Sequence, residues 1–145
     1  MLKIIILEDD NLLRKMYSDK LKQSGYDVSV YGDGKSGFSA IKKTKPAVVL
    51  SDIMMPVMSG LDVLEAMKKD SALKHIPFVF LTNLARSDED IQRGLELGAI
   101  GYLVKSDLTP NEIVAKVKEY AEAHKSNEEL PERADERLNR AKKDA

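Results

Sequence analysis

The 145-residue chain contains no cysteine, which excludes disulfide staples, thiolate metal sites and thiol nucleophiles. It also lacks an excess of either charge. Its 23 Lys and Arg balance 24 Asp and Glu, a net charge of -1, so no strong overall field points to nucleic acid or a membrane surface. No apolar run approaches the roughly 20 residues needed to cross a bilayer. The opening Met1-Leu2-Lys3-Ile4-Ile5-Ile6-Leu7 is too short, and too soon followed by acids, for a signal peptide. There is no internal repeat. The expectation is one soluble, cytoplasmic domain. Its length and 43% hydrophobic content suffice for a real core.

Short runs of branched and aromatic apolar residues are present, each followed by a chemically useful side chain. Ile4-Ile5-Ile6-Leu7 leads into Glu8-Asp9, and Val48-Val49-Leu50 leads through Ser51 into Asp52. Phe78-Val79-Phe80-Leu81 leads into Thr82, and Tyr102-Leu103-Val104 into Lys105. Continuous runs of this kind read as strands covered on both faces, the habit of a parallel sheet. Residues 27–31, alternating around Val28 and Val30, read as a further strand. Ligand groups of open parallel sheets collect beyond the carboxyl ends of the strands. Glu8, Asp9, Asp52, Thr82 and Lys105 are therefore expected at one edge of one sheet.

Helical stripes lie between these runs. Leu13, Met16, Tyr17 and Leu21 form one that ends near Gly25, with Asp10 placed to cap it. Phe38, Ala40 and Ile41 belong to a helix that must stop before Pro46. Leu61, Leu64 and Met67 form a third after Gly60. A fourth carries Ile91, Gly94, Leu95 and Gly98, its glycines costing about 1 kcal/mol each if interior. Thr109, Pro110 and Glu112 spell a capping box for a fifth, whose buried stripe is Ile113, Val114, Val117, Tyr120 and Ala121. Five strands and five helices in strict alternation predict βαβ units with helices on both faces. After Lys125 the composition changes. Residues 126–145 hold only Leu130 and Leu138 as large apolar residues, among six acids and five bases. This reads as a charged tail, either a solvated helix restarting at Pro131 or frayed chain, with a narrow stripe of Leu130, Ala134, Leu138 and Ala141. The domain is placed at 1–125 and the tail at 126–145.

Each candidate side chain has an ordinary reading alone: an Asx-turn for Asp52, a turn residue for Thr82, a solvated ammonium for Lys105. Their coincidence at strand ends outweighs those readings. Carboxylates about 4 Å apart repel by roughly 4 kcal/mol at an effective dielectric near 20, so three together call for a cation. Oxygen-only donors favour Mg²⁺, which takes one or two carboxylates plus phosphate oxygens. A carboxylate there can act as a nucleophile towards phosphorus, with Lys105 and Thr82 holding the phosphoryl oxygens.

Ile6-Leu7-Glu8-Asp9-Asp10, the stretch Asp52-Ile53-Met54-Met55-Pro56-Val57-Met58-Ser59-Gly60, Leu81-Thr82 and Gly101-Tyr102-Leu103-Val104-Lys105 together resemble the receiver domain of two-component response regulators. The resemblance covers roughly residues 2 to 123. It implies a flavodoxin-like (βα)5 fold with a doubly wound parallel sheet of order 2-1-3-4-5. It implies Asp52 as phosphoacceptor, taking a phosphoryl group from a histidine kinase or phosphotransfer protein. Glu8, Asp9, Asp52 and the backbone carbonyl of Met54 are the implied Mg²⁺ ligands. Thr82 and Lys105 are implied to contact phosphate, and Thr82 and Tyr102 to accompany switching. The chain is then no enzyme beyond its own phosphorylation and dephosphorylation.

Two positions depart from the family pattern. Ser106 stands where proline usually follows the strand-five lysine; a cis bond there would cost about 3–4 kcal/mol, which leaves trans unless the fold enforces cis, and the sequence does not decide between them. Asn83 stands where a small residue is usual. A rival reading, a small Mg²⁺-dependent phosphohydrolase with an aspartyl intermediate, wants an acid two residues after the nucleophile, but position 54 is methionine. A receiver-like interaction module that is never phosphorylated is the other rival, against which the intact five-residue site argues. The resemblance implies that the side chains two after Asp52 and two after Thr82 flank the attacking water; here they are the apolar Met54 and Leu84, so slow self-hydrolysis is expected. With no helix-turn-helix, zinc motif or basic cluster after the domain, output is expected through protein contact, and the resemblance implies the face of the fourth helix, fifth strand and fifth helix. No nucleic acid or membrane is expected as partner, and the state is a monomer or weak homodimer.

Overall fold

The computed structural model describes residues 1–83 and 88–129. Ten elements alternate: β1 Lys3–Leu7, α1 Asn11–Gln23, β2 Asp27–Tyr31, α2 Gly34–Thr44, β3 Val48–Asp52, α3 Gly60–Lys68, β4 Phe78–Thr82, α4 Asp88–Glu96, β5 Gly101–Val104 and α5 Pro110–Glu129. The five strands form one sheet of order β2-β1-β3-β4-β5, every pairing parallel. The doubly wound architecture expected from alternation and from the family resemblance is the one observed.

Strand side chains alternate between two cores, which is why their sequences are continuously apolar. Ile4, Ile6, Val48, Leu50, Val79 and Leu81 pack beneath α1 and α5, against Tyr17, Leu21, Ile113, Val114, Val117 and Ala121. Ile5, Leu7, Val49, Phe78 and Phe80 face the other way, towards Ile41 of α2 and Leu61, Val63, Leu64 and Met67 of α3. A strand walled on both sides by apolar cores has no polar face, so alternation disappears from its sequence.

The helix signals translate directly. Asp10 caps α1 by accepting from the Leu13 N–H at 3.0 Å. Thr109 and Glu112 form the reciprocal box at the start of α5: the Glu112 N–H donates to Thr109 Oγ1 at 3.2 Å and the Thr109 N–H to Glu112 Oε1 at 3.1 Å. Ser59 and Asp62 make a second box at α3 that the sequence reading had not singled out. Gly98 is a correction. It lies beyond the end of α4 with φ +108°, and its N–H bonds back to the Leu95 carbonyl at 3.0 Å. It therefore ends the helix, where glycine is favoured, rather than weakening its interior.

α5 runs to Glu129, across the compositional break after Lys125 that had been taken as the domain boundary. The remainder of the tail, with Pro131 and the stripe of Leu130, Ala134, Leu138 and Ala141, lies outside the described residues, as does Leu84. Among the described residues no peptide bond is cis, so Lys105–Ser106 is trans.

Candidate functional site

The sheet order sets β1 beside β3, so the loops that leave their carboxyl ends share one crevice. β1 ends at Leu7, and the Glu8 N–H extends the ladder by bonding the Tyr31 carbonyl at 3.0 Å. The chain then turns into α1, with Arg14 Nη1 donating to the Glu8 carbonyl at 2.7 Å to hold the turn. Asp52 closes β3. Gly60 lets the following loop fold back on it: a Cβ there would stand 2.0 Å from the Asp52 carbonyl oxygen. Thr82 ends β4, and the Lys105 N–H bonds its carbonyl at 2.7 Å, which anchors the base of the lysine beside it.

These turns bring the expected residues together. One ligand oxygen from each of Glu8, Asp9 and Asp52 falls within 4.8 Å of the others. Lys105 Nζ donates to Glu8 Oε1 at 2.5 Å and stands 2.8 Å from Asp52 Oδ1. The second contact has ion-pair distance without hydrogen-bond geometry, so Asp52 Oδ1 is buried with no hydrogen-bond donor. Asp52 Oδ2 accepts weakly from the Asp9 N–H at 3.3 Å. A cleft of about 510 Å³ opens over this group, walled by Asp9, Met54, Thr82, Asn83, Asp90 and Lys105 among others, with Asp52 at its base.

The two adjacent acids that the sequence treats alike are placed differently. Glu8 is fully buried, with Oε1 taken by Lys105 and Oε2 by the Asp10 N–H at 3.1 Å. Asp9 is exposed and lines the cleft. Burial first, and then Glu8, push the Asp52 carboxyl up against the opposing pull of Lys105, to about 9. Burial works against the Lys105 ammonium too, but the neighbouring Asp52 and Glu8 carboxyl groups outweigh it and hold Lys105 above its ordinary value. Two buried acids thus compete for one cation.

Three features escaped the sequence reading. Val57, 81% exposed, sits in the loop after Asp52 with φ +69°. For a β-branched residue that left-handed conformation is strained, by about 1–3 kcal/mol. Asp90 of α4 joins the cleft wall. Tyr17, read only as core, also borders a second cavity of about 350 Å³ together with Lys105; burial lifts its phenol to about 12 although the Lys105 charge pulls it down. Tyr102 is partly exposed on β5, away from the cleft lining.

The sequence model of the response regulator receiver domain matches residues 4–118, and the chain belongs to that family. Receiver domains of this family are signalling modules of two-component systems. The DNA-binding response regulator MtrA of Mycolicibacterium paratuberculosis is 38% identical over 117 residues, 80% of this chain and 49% of the relative. The probable transcriptional regulator ycf27 of Porphyridium aerugineum is 33% identical over 132 residues, 89% of this chain and 53% of the relative. The chemotaxis response regulator CheY4 of Vibrio cholerae superimposes with a TM-score of 0.75 at 32% identity, covering 83% of this chain and 98% of that one. This chain spans about half the length of the curated relatives just named.

The MtrA match corrects one expectation. Nucleic acid had been excluded as a partner because no DNA-binding motif follows the domain, yet this relative is a DNA-binding response regulator. An exclusion read from charge and motifs within one stretch says nothing of the half of the relative that the stretch does not match. No helix of the described residues is long and apolar enough to cross a membrane.

Proposed function

We propose that this receiver accepts a phosphoryl group on Asp52 from the phosphohistidine of a histidine kinase or phosphotransfer protein. The observation that carries the reading is Asp52 Oδ1: a buried carboxylate oxygen without a hydrogen-bond donor, at the base of an open cleft and 2.8 Å from Lys105 Nζ. An oxygen so placed is desolvated and held at the floor of the cleft. It attacks phosphorus as the phosphorus–nitrogen bond to the donor imidazole breaks, giving an aspartyl phosphate and a free histidine. Lys105 and the Thr82 hydroxyl then balance the charge on the phosphoryl oxygens.

The donor set fits Mg²⁺. Three carboxylates face one ammonium, all donors are hard oxygens, and one of the buried oxygens lacks a hydrogen bond. Asp9, Asp52 and the Met54 backbone carbonyl would hold the ion, with Glu8 adding negative charge from behind. When bound, Mg²⁺ supplies the positive charge that lets Asp52 stay ionised and that screens the incoming phosphoryl oxygens. Asp9 shapes the cleft mouth, and Arg14 and Asp10 keep its loop in place.

Intact-mass spectrometry after incubation with acetyl phosphate and Mg²⁺ tests the reading. The wild type should gain one phosphoryl mass. Asp52→Asn should gain none while keeping its fold by circular dichroism. A phosphoryl mass on the mutant would show that the acceptor lies elsewhere.

The same cleft sets the lifetime of the product. Met54 presents an apolar, 69% exposed side chain at the mouth, and that side chain has no group to orient a water for attack on phosphorus. Positioning supplies much of the catalysis in phosphoryl transfer, so a persistent phosphorylated form follows.

A further inference from the structure

A chain without cysteine keeps all its oxidisable sulfur in six methionines, and the fold distributes them unequally. Met55 and Met67 are buried at 8% and 1%. Met16 and Met58 are half-buried. Only Met1 and Met54 are well exposed, at 90% and 69%. Met1 lies at the amino end of β1, the opposite end of the sheet from the cleft. Met54 alone combines high exposure with a place in the cleft wall, beside Asp9, Asp52, Thr82 and Lys105.

We propose that Met54 is a redox-modification site, and that its oxidation by hydrogen peroxide shortens the life of the phosphorylated state. The step is a two-electron oxidation. The thioether sulfur attacks one peroxide oxygen, the O–O bond breaks, and sulfur keeps that oxygen as a sulfoxide while the other leaves as water. The proposal rests on Asp52 being the phosphoacceptor. Asp52 lies at the base of the cleft, so its phosphoryl group projects into the cleft, and a water attacking phosphorus opposite the Asp52 oxygen must come in past the cleft wall. The reduced thioether offers that water almost nothing. A sulfoxide oxygen is a strong acceptor, able to hold the water and draw on its proton. The water oxygen then bonds to phosphorus, the bond to Asp52 breaks, and carboxylate and inorganic phosphate are released. Sulfoxide reduction by a methionine sulfoxide reductase with a thiol reductant restores the slow state.

The test compares wild type and Met54→Leu, each with and without dilute hydrogen peroxide. Site-resolved mass spectrometry should find Met54 converted well before its buried neighbour Met55. Both proteins are then phosphorylated with acetyl phosphate and Mg²⁺, the donor is removed, and loss of the phosphoryl mass is followed. Oxidised wild type should decay about two- to tenfold faster than untreated, the effect of one neutral hydrogen bond to the attacking water. Reductase treatment should reverse the change, and peroxide should not alter decay in Met54→Leu. Equal decay before and after oxidation overturns the proposal, as does a peroxide effect that persists in Met54→Leu or oxidation of Met55 as fast as Met54. Those results leave the phosphoacceptor reading standing. An untreated wild type that takes no phosphoryl group overturns both.

Discussion

The base and the mouth of the cleft are built on opposite principles. At the base, Glu8 and Asp52 are buried, and Lys105, its side chain 12% exposed, lies within 2.8 Å of both acids. At the mouth, Asp9, Met54 and Asn83 are exposed and owe little to the core. Buried charge is costly unless paired, and removing one partner leaves the other stranded. The base should therefore respond to mutation through stability and proton binding. The mouth should respond through ligand affinity and lifetime, with the fold unaffected. A mutation at the base without effect on stability, or one at the mouth that unfolds the protein, would break this division.

The largest effect on stability is expected at Lys105. Lys105→Ala leaves two buried acids facing each other, and chemical denaturation should show a loss of about 3 kcal/mol. Adding Asp52→Asn to that variant should recover part of the loss, because only one buried acid is then left without its cation. Additive losses would mean that the two residues do not share an ion pair of any consequence.

Proton binding comes next. The Asp52 carboxyl rises from 3.8 in its unperturbed state to about 9 in the metal-free fold. Between those values the folded protein holds a proton that the unfolded chain has released, so stability should fall as pH rises through the window. Asp52→Asn should flatten that slope. At pH 7, Mg²⁺ binding should release protons, seen by calorimetry as a binding heat that depends on the ionisation enthalpy of the buffer. A buffer-independent heat would place the proton elsewhere.

Asp9→Asn addresses the mouth. It should weaken Mg²⁺ by at least about tenfold, since losing a partner that only supports a ligand already costs that much. Thermal stability should shift by no more than a surface substitution does, about 0.5 kcal/mol. A large fall in melting temperature would move Asp9 from the mouth to the base.

The division explains what the sequence could and could not disclose. Strand positions were readable because β1, β3 and β4 are walled by apolar cores on both faces, which leaves continuous runs. The gathering of Glu8, Asp9, Asp52, Thr82 and Lys105 at one edge follows from those runs and the parallel order. Which of Glu8 and Asp9 would turn inward was not readable. It depends on the turn held by Arg14 and Asp10, and adjacent acids look the same in one dimension. The left-handed Val57 runs against the preference of its side chain, so no local signal announces it. Gly98, two residues past the end of α4, was placed inside the helix because a glycine that ends a helix and one that interrupts it differ only in where the helix stops.

The smallest effect tests the mouth most selectively. Met54→Asn replaces an apolar wall with an amide while keeping the backbone carbonyl that the reading assigns to the metal. Asn brings an acceptor and a donor to the water's path, each able to make a neutral hydrogen bond. The phosphorylated mutant should therefore decay about two- to tenfold faster than wild type after removal of the donor. Stability should hardly change, since the methionine side chain is 69% exposed and supports little of the core. Mg²⁺ affinity should also hold, which separates a change in water access from a change in ion binding. Decay in the wild type as fast as in Met54→Asn would show that the methionine does not shield the bond, and that the mouth contributes to binding alone.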